Sequence, residues 1–210
     1  MKRHYIIITH PLRYNYGGLL QAYALHKRLK LLQISNFLLK YKINNDNKHC
    51  IIFSFIFAIL ELLLRIFPFN RVFIYILRRL RCYHLFNAYI SRNISSSLVT
   101  KINFIETCQH SDAFSYVVGS DQVWRVLYTR RLFSVEFFFL SDTSKEMREC
   151  SISYAASFGS DEWEGSMEET DKCGQLLRDF KAVSVREQSG VEICRNVFGV
   201  DAVQMPDPTL

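Results

Sequence analysis

Three short stretches set small and polar residues at the ends of apolar runs. "THPLRYNYGGLLQAYAL" starts at Thr9, "YVVGSDQVW" at Tyr116 and "SYAASFG" at Ser153. In the first, Gly17 and Gly18 accept backbone angles closed to other residues and let a ligand approach the chain. The helix expected from Leu19 offers unpaired N–H groups, and Arg13 adds a fork of donors, so a phosphate or carboxylate could bind there. Asn15 either bonds a ligand or closes the turn. His10 follows the first strand and could move a proton at the same loop.

The second stretch places a hydroxyl and a carboxylate just beyond a strand. Asp121 either takes a proton from a sugar hydroxyl or braces the backbone of Gln122 and Val123. Gly119 and Ser120 shape that turn as candidate binding residues, and Trp124 supplies either a stacking face for a sugar ring or core packing. In the third stretch Ser157 and Gly159 turn the backbone and offer donors to an anion. Arg186, in "VSVREQSG", either holds an anion or pairs with Glu187 or a more distant carboxylate. No G-x-G-x-x-G, Walker A, G-x-S-x-G or H-E-x-x-H pattern occurs, so no nucleotide cofactor, serine elbow or metal site is expected.

Residues 1–92 hold 15 Lys or Arg against Asp46 and Glu61, whereas residues 93–210 hold 11 basic against 18 acidic residues. The basic half suits an anionic partner or plain solvent. No zinc-finger spacing or basic zipper supports nucleic-acid binding. The six cysteines are scattered without a C-x-x-C pair, which fits reduced thiols and a cytoplasmic setting.

The elements that would position these loops alternate between strand and helix. Tyr5–Thr9 reads as a strand and "LLQAYALHKRLKLL" as a helix that buries Leu19, Ala22, Tyr23 and His26 and wets Lys27 and Arg28. A second strand is expected at Phe37–Ile43. After residue 112 the order resumes with "AFSYVVGS", an apolar element "SVEFFFLSD", a strand in "CSISYAASFGS", and an acidic helical region, "EWEGSMEETDKCGQLLRDF". "KAVSVRE" then reads as a short strand and "GVEICRNVF" as a helix. This is an α/β chain with an open Rossmann-like sheet and helices on both faces.

Residues 50–90 form an apolar and basic helical insertion broken at Pro68. Its first part, Cys50–Leu64, is 15 residues long, short of the ~20 that span a bilayer. Its second part spaces Arg71, Arg78, Arg79 and Arg81 among Phe73, Ile74, Leu77 and Leu80. That pattern suits either a helix lying on an anionic membrane face, a peripheral contact at the inner side of the cell membrane, or packing on the sheet.

Together, "NYGGLLQAYALHKRL", "FSYVVGSDQVW", "ISYAASFG", "SVREQSGVEIC" and "DPTL" resemble the polysaccharide pyruvyl transferase family, in its motif order. The chain departs from the family pattern after the first helix, where "LKLLQISNFLLKYKI" lacks the usual Gly turn and Asp-Tyr strand end. The resemblance implies an N-terminal Rossmann-like domain, residues 1–210, of a GT-B-like two-domain enzyme whose C-terminal domain is missing here. It also implies transfer of pyruvate from phosphoenolpyruvate, as a ketal, to a sugar of a polysaccharide or lipid-linked precursor, without cofactor or metal. It places Asn15, Gly17, Gly18, Gly119, Ser120, Asp121, Ser157, Gly159 and Arg186 in the family's motifs. The alternatives are a nucleotide-sugar glycosyltransferase of similar fold and a catalytically incomplete binding domain.

Overall fold

The computed structural model describes residues 4–12, 15–41, 85, 88–90, 92–93, 96–99, 114–131 and 133–210. Strand β1 (His4–Ile8) lies at the middle of a parallel sheet, paired to β2 (Asn36–Tyr41) on one side and β4 (Phe114–Gly119) on the other. With β3 (Ser96–Val99) and β5 (Ile152–Tyr154) the order is β3-β2-β1-β4-β5. The bridges Ile152↔Ala182 and Ala156↔Val185 carry the parallel arrangement on to β6 (Ser184–Val185), which pairs with β7 (Val203–Gln204). Strand order therefore reverses between β1 and β4, the place where open α/β sheets leave a crevice at their carboxyl ends.

Side-chain alternation along the central strands builds two cores. Ile7 and Val117 point to one face, where Leu19, Ala22 and Leu25 of helix α1 (Tyr16–Leu31) cover them. Ile6, Ile8, Tyr116 and Val118 point to the other, under helices α4 (Met167–Arg178) and α5 (Gln188–Asn196). That second core also takes the short helix α2 (Val126–Thr129) and the 3-10 turn Val135–Phe139, the apolar element expected in "SVEFFFLSD". Helix α3 (Lys145–Glu149) leads into β5.

Helix α1 begins three residues before the expected Leu19, because the Asn15 side chain caps it and satisfies an amide that would otherwise lack a partner. Helix α4 is set by a capping box in which Ser166 and Glu169 exchange side-chain and backbone bonds. The ladder between β5 and β6 consists of bridges, and serines complete it. Ser153 Oγ donates to the Ser184 carbonyl at 2.9 Å and accepts from Ser184 N–H at 2.9 Å, while Ser184 Oγ donates to the Ser153 carbonyl.

The 50–90 insertion falls almost wholly outside the described residues, as do Arg13, Cys50, Cys82 and Cys108. Its end, Ala88–Ile90, is helical, and Ile90 packs with α1 over the sheet. Among the described residues no helix is long and apolar enough to cross a membrane. Cys150, Cys173 and Cys194 are free thiols; burial pushes Cys194 up to about 12 and raises Cys173 further still, so both are inert at neutral pH.

One polar pair lies inside the first core. His26 on α1 is 3% exposed, and its Nδ1–H donates to Asn36 Oδ1 at 2.6 Å. Asn36 spends its own amide protons on the Ile34 and His26 carbonyls. Burial pulls the His26 pKa below its ordinary value, opposed by the Asn36 bond and reinforced by Lys30 and Lys27. A base whose folded pKa is depressed takes up more protons when unfolded, so its stabilising effect is complete above about pH 6.5 and declines below it. Urea unfolding from pH 7.5 to 5 should show a falling midpoint that His26→Gln flattens. Asn36→Ala, which strands the buried ring N–H, should cost about 1–3 kcal/mol at pH 7.5.

Candidate functional site

At the carboxyl ends of the strands, the two loops beside the switch point build a cavity. The loop after β1 brings His10, Pro11 and Asn15, and the loop after β4 brings Asp121 and Gln122. Tyr128 and Arg131, from α2 and the turn after it, form the far wall. The cavity measures about 510 Å³, within the range that holds a sugar or a small cofactor.

Asp121 stands at the centre of this arrangement. Its Oδ1 accepts from the Gln122 N–H at 2.8 Å, the brace that was one of its two sequence readings, and its Oδ2 accepts from Asn15 Nδ2 at 3.5 Å. Asn15 in turn accepts from Gly18 N–H at 3.0 Å. The helix start that the sequence offered to a substrate anion thus faces the protein's own carboxylate, a favourable place for a negative charge. A Cβ on Gly18 would lie 2.8 Å from Asp121 Oδ2 and 2.9 Å from Asn15 Nδ2, whereas one on Gly17 would meet nothing closer than 3.4 Å. Of the glycine pair, Gly18 makes room for the acid.

His10 ties the two loops together. Its Nε2–H donates to the Gln122 carbonyl at 2.7 Å, and its ring meets the edge of Phe138 at 5.0 Å. The ring therefore holds the β4 loop by Nε2. Below the cavity, Ser157 N–H donates to the Asp121 carbonyl at 3.1 Å, and Trp124 N–H donates to the Ser157 carbonyl at 3.2 Å. The "GSD" and "SYAASFG" loops are thereby one unit, with Gly159 packed against Gln122 and Arg125.

Gly119 is required by geometry. Its φ is +131°, and an added Cβ would run into the Tyr154 carbonyl across the β4–β5 pair. Ser120 is fully buried with no partner for its hydroxyl among the described residues. Trp124 takes the second of its two sequence readings. It is 1% exposed, its indole N–H donates to the Phe138 carbonyl at 3.2 Å, and its ring stacks on Phe139 at 5.2 Å. No face of it is open to a sugar.

Ser157 and Arg186 also resolve into a network. Ser157 Oγ donates to Glu187 Oε1 at 2.8 Å, which also accepts from Arg186 Nε at 2.8 Å. Arg186 Nη1 reaches Asp207 Oδ2 at 3.4 Å, and the same oxygen accepts from Gln21 of α1. Arg186 is engaged by two carboxylates, the paired reading of the sequence, joining β6 to the "DPTL" turn. Burial would raise the Asp207 carboxyl, but bonds from Thr209 and Gln21 and the Arg186 charge outweigh it and hold the pKa below its ordinary value.

The family model for polysaccharide pyruvyl transferases matches residues 15–210, from the Asn15 cap to the chain's last residue. The chain belongs to that family. No curated protein and no solved structure matches it.

Within this pyruvyl transferase family member, the sequence motifs "NYGG" and "GSD" meet in one cavity, while "SYAASFG", "RE" and "DP" are joined to the "GSD" loop by a chain of hydrogen bonds. Gln122, Tyr128 and Arg131 were not singled out from sequence. Arg131 follows Arg130, which is committed to Glu169 through two bonds, and adjacent arginines look alike until the fold pairs one with a carboxylate and leaves the other at the cavity. Among the described residues no group of three His, Cys, Asp or Glu side chains is arranged for a metal.

Gly119→Ala should cost more than about 3 kcal/mol or prevent folding, because both the φ and the Tyr154 carbonyl oppose it. Gly17→Ala should stay within about 1 kcal/mol of the parent. Chemical denaturation of the two variants checks the contrast.

Proposed function

We propose that the full protein moves pyruvate from phosphoenolpyruvate onto two hydroxyls of a sugar in a polysaccharide or its lipid-linked precursor, forming a ketal. The reading rests on family membership together with one observation: the Asp121 carboxylate, oriented by Asn15 and the Gln122 N–H, faces a sugar-sized cavity at the sheet's switch point.

In this reading the acceptor occupies the cavity and Asp121 receives the proton of an attacking hydroxyl. The hydroxyl oxygen bonds to the central carbon of the donor while the methylene carbon gains a proton and becomes methyl. The carbon–oxygen bond to phosphate then breaks, and a second hydroxyl attacks the same carbon and loses its proton, leaving the ketal and inorganic phosphate. His10 positions the β4 loop, and Asn15 positions the carboxylate. The donor's phosphate and carboxylate call for several cationic or N–H donors; a second Rossmann-like domain, in a GT-B-like pair, supplies those beyond this half. Peripheral attachment at the inner membrane face, through the basic insertion, would bring a lipid-linked acceptor to the site.

The test is to give the full-length protein phosphoenolpyruvate and a panel of lipid-linked sugars, and to follow both free phosphate and added pyruvyl mass. Nucleotide-dependent sugar transfer without pyruvylation would sink the reading in favour of a glycosyltransferase. Asp121→Asn should lower turnover roughly 10²–10⁴-fold with the fold intact. Gly18→Ala, which displaces the same carboxylate, should lower it at least about tenfold while changing stability by no more than about 1 kcal/mol. Unchanged turnover in a folded Asp121→Asn protein removes the base role.

A further inference from the structure

We propose that Arg131 and Tyr128 make this cavity selective for an acceptor sugar that carries its own negative charge. The proposal rests on the reading of the cavity as the acceptor site.

The charges of the described lining residues support it. Asp121 contributes one negative charge and Arg131 one positive charge. Among the described residues, Arg130 holds Glu169, Arg186 holds Glu187 and Asp207, and Arg125 donates to Gln122 Oε1 at 3.3 Å. Arg131 is exposed and makes no hydrogen bond or ion pair with any described residue. A free guanidinium at a cavity wall presents a planar fork suited to one carboxylate or phosphate. One such group fits a singly or doubly charged substituent on an otherwise hydroxyl-rich body; it is too little for a donor bearing both phosphate and carboxylate.

The rest of the lining suits that hydroxyl-rich body. Asn15, Asp121 and Gln122 provide donors and acceptors on one side, and Tyr128 provides an aromatic ring that is 44% exposed. The Arg125 guanidinium sits 4.5 Å from the Tyr128 ring centroid and holds it from one face. The ring is thus fixed as a platform before any sugar arrives, which lowers the ordering cost of stacking. Sugar plane on Tyr128, hydroxyls toward Asp121 and the charged substituent toward Arg131 is the arrangement the side chains define.

The experiment titrates the full-length protein, without donor, with glucose, glucuronate and glucose 1-phosphate, reading binding by saturation-transfer NMR. The parent should bind one or both charged sugars about tenfold or more tightly than glucose. Preference for glucuronate assigns the charge to a sugar carboxylate, and preference for glucose 1-phosphate assigns it to a phosphate linkage. Arg131→Gln should bring all three to the same affinity, while Tyr128→Ala should weaken all three alike. Equal binding of the three sugars by the parent, no binding of any, or a preference that survives Arg131→Gln would overturn the proposal. Because no donor is present and no product is counted, the two readings fail separately. A protein that never transfers pyruvate yet keeps the Arg131-dependent preference refutes the transfer reading alone, and a working transferase without that preference refutes only this one.

Discussion

Parallel pairing of β1 with β4, in the register His4↔Phe114 through Ile8↔Val118, is the constraint on which the site depends. It sets side by side the ends of two strands separated by more than a hundred residues of chain, and only there can Asn15 and Asp121 meet. The pairing is stabilised from both faces. Ile7 and Val117 are closed over by α1, and Ile8, Tyr116 and Val118 by the aromatic core. Shifting either strand by one residue would exchange those faces and move the loops apart, so the burial that favours the fold also specifies the geometry of the cavity.

The polar interior serves the same end. Buried hydroxyls and amides are costly without partners, and here the partners lie across element boundaries. Ser153 and Ser184 exchange bonds between β5 and β6, Ser151 Oγ accepts from the Tyr116 N–H of β4 at 3.0 Å, and Thr129 Oγ1 donates to the Val123 and Arg125 carbonyls. Each ties one loop or strand end to its neighbour. The chain from Ser157 through Glu187, Arg186 and Asp207 to Gln21 runs from beneath the cavity to the flank of α1. Its side chains are half-buried, so water screens the ion pairs; their contribution is chiefly directional, keeping the β6 and "DPTL" turns beside the first helix.

Asp121 combines two roles that look exclusive when considered one at a time. One carboxylate oxygen braces its own turn and the other faces Asn15 and the start of α1. A brace that also lines a cavity is pre-organised, since the carboxylate is already held in place by the turn it closes. The same economy explains Gly18, whose lack of a side chain leaves room for the carboxylate over the helix.

Local patterning was enough to read the alternating strands and helices and the loops that carry the motifs. Apolar period and turn residues are properties of neighbouring positions, and α1, β4, α4 and α5 follow them. Placement of β2 within a residue of its start was legible for the same reason, despite its unusual entry turn. What the sequence could not decide is whether the indole of Trp124 is open to a sugar or sealed in the core, which of two adjacent arginines reaches the cavity, and that Asn15 meets Asp121. Those outcomes depend on residues tens of positions away: Phe138 and Phe139 enclose Trp124, Glu169 engages Arg130, and β1–β4 pairing brings Asp121 to Asn15. Near-neighbour chemistry determines where the chain turns and what the turns carry; only long-range packing decides which of those groups face one another and which are sealed away.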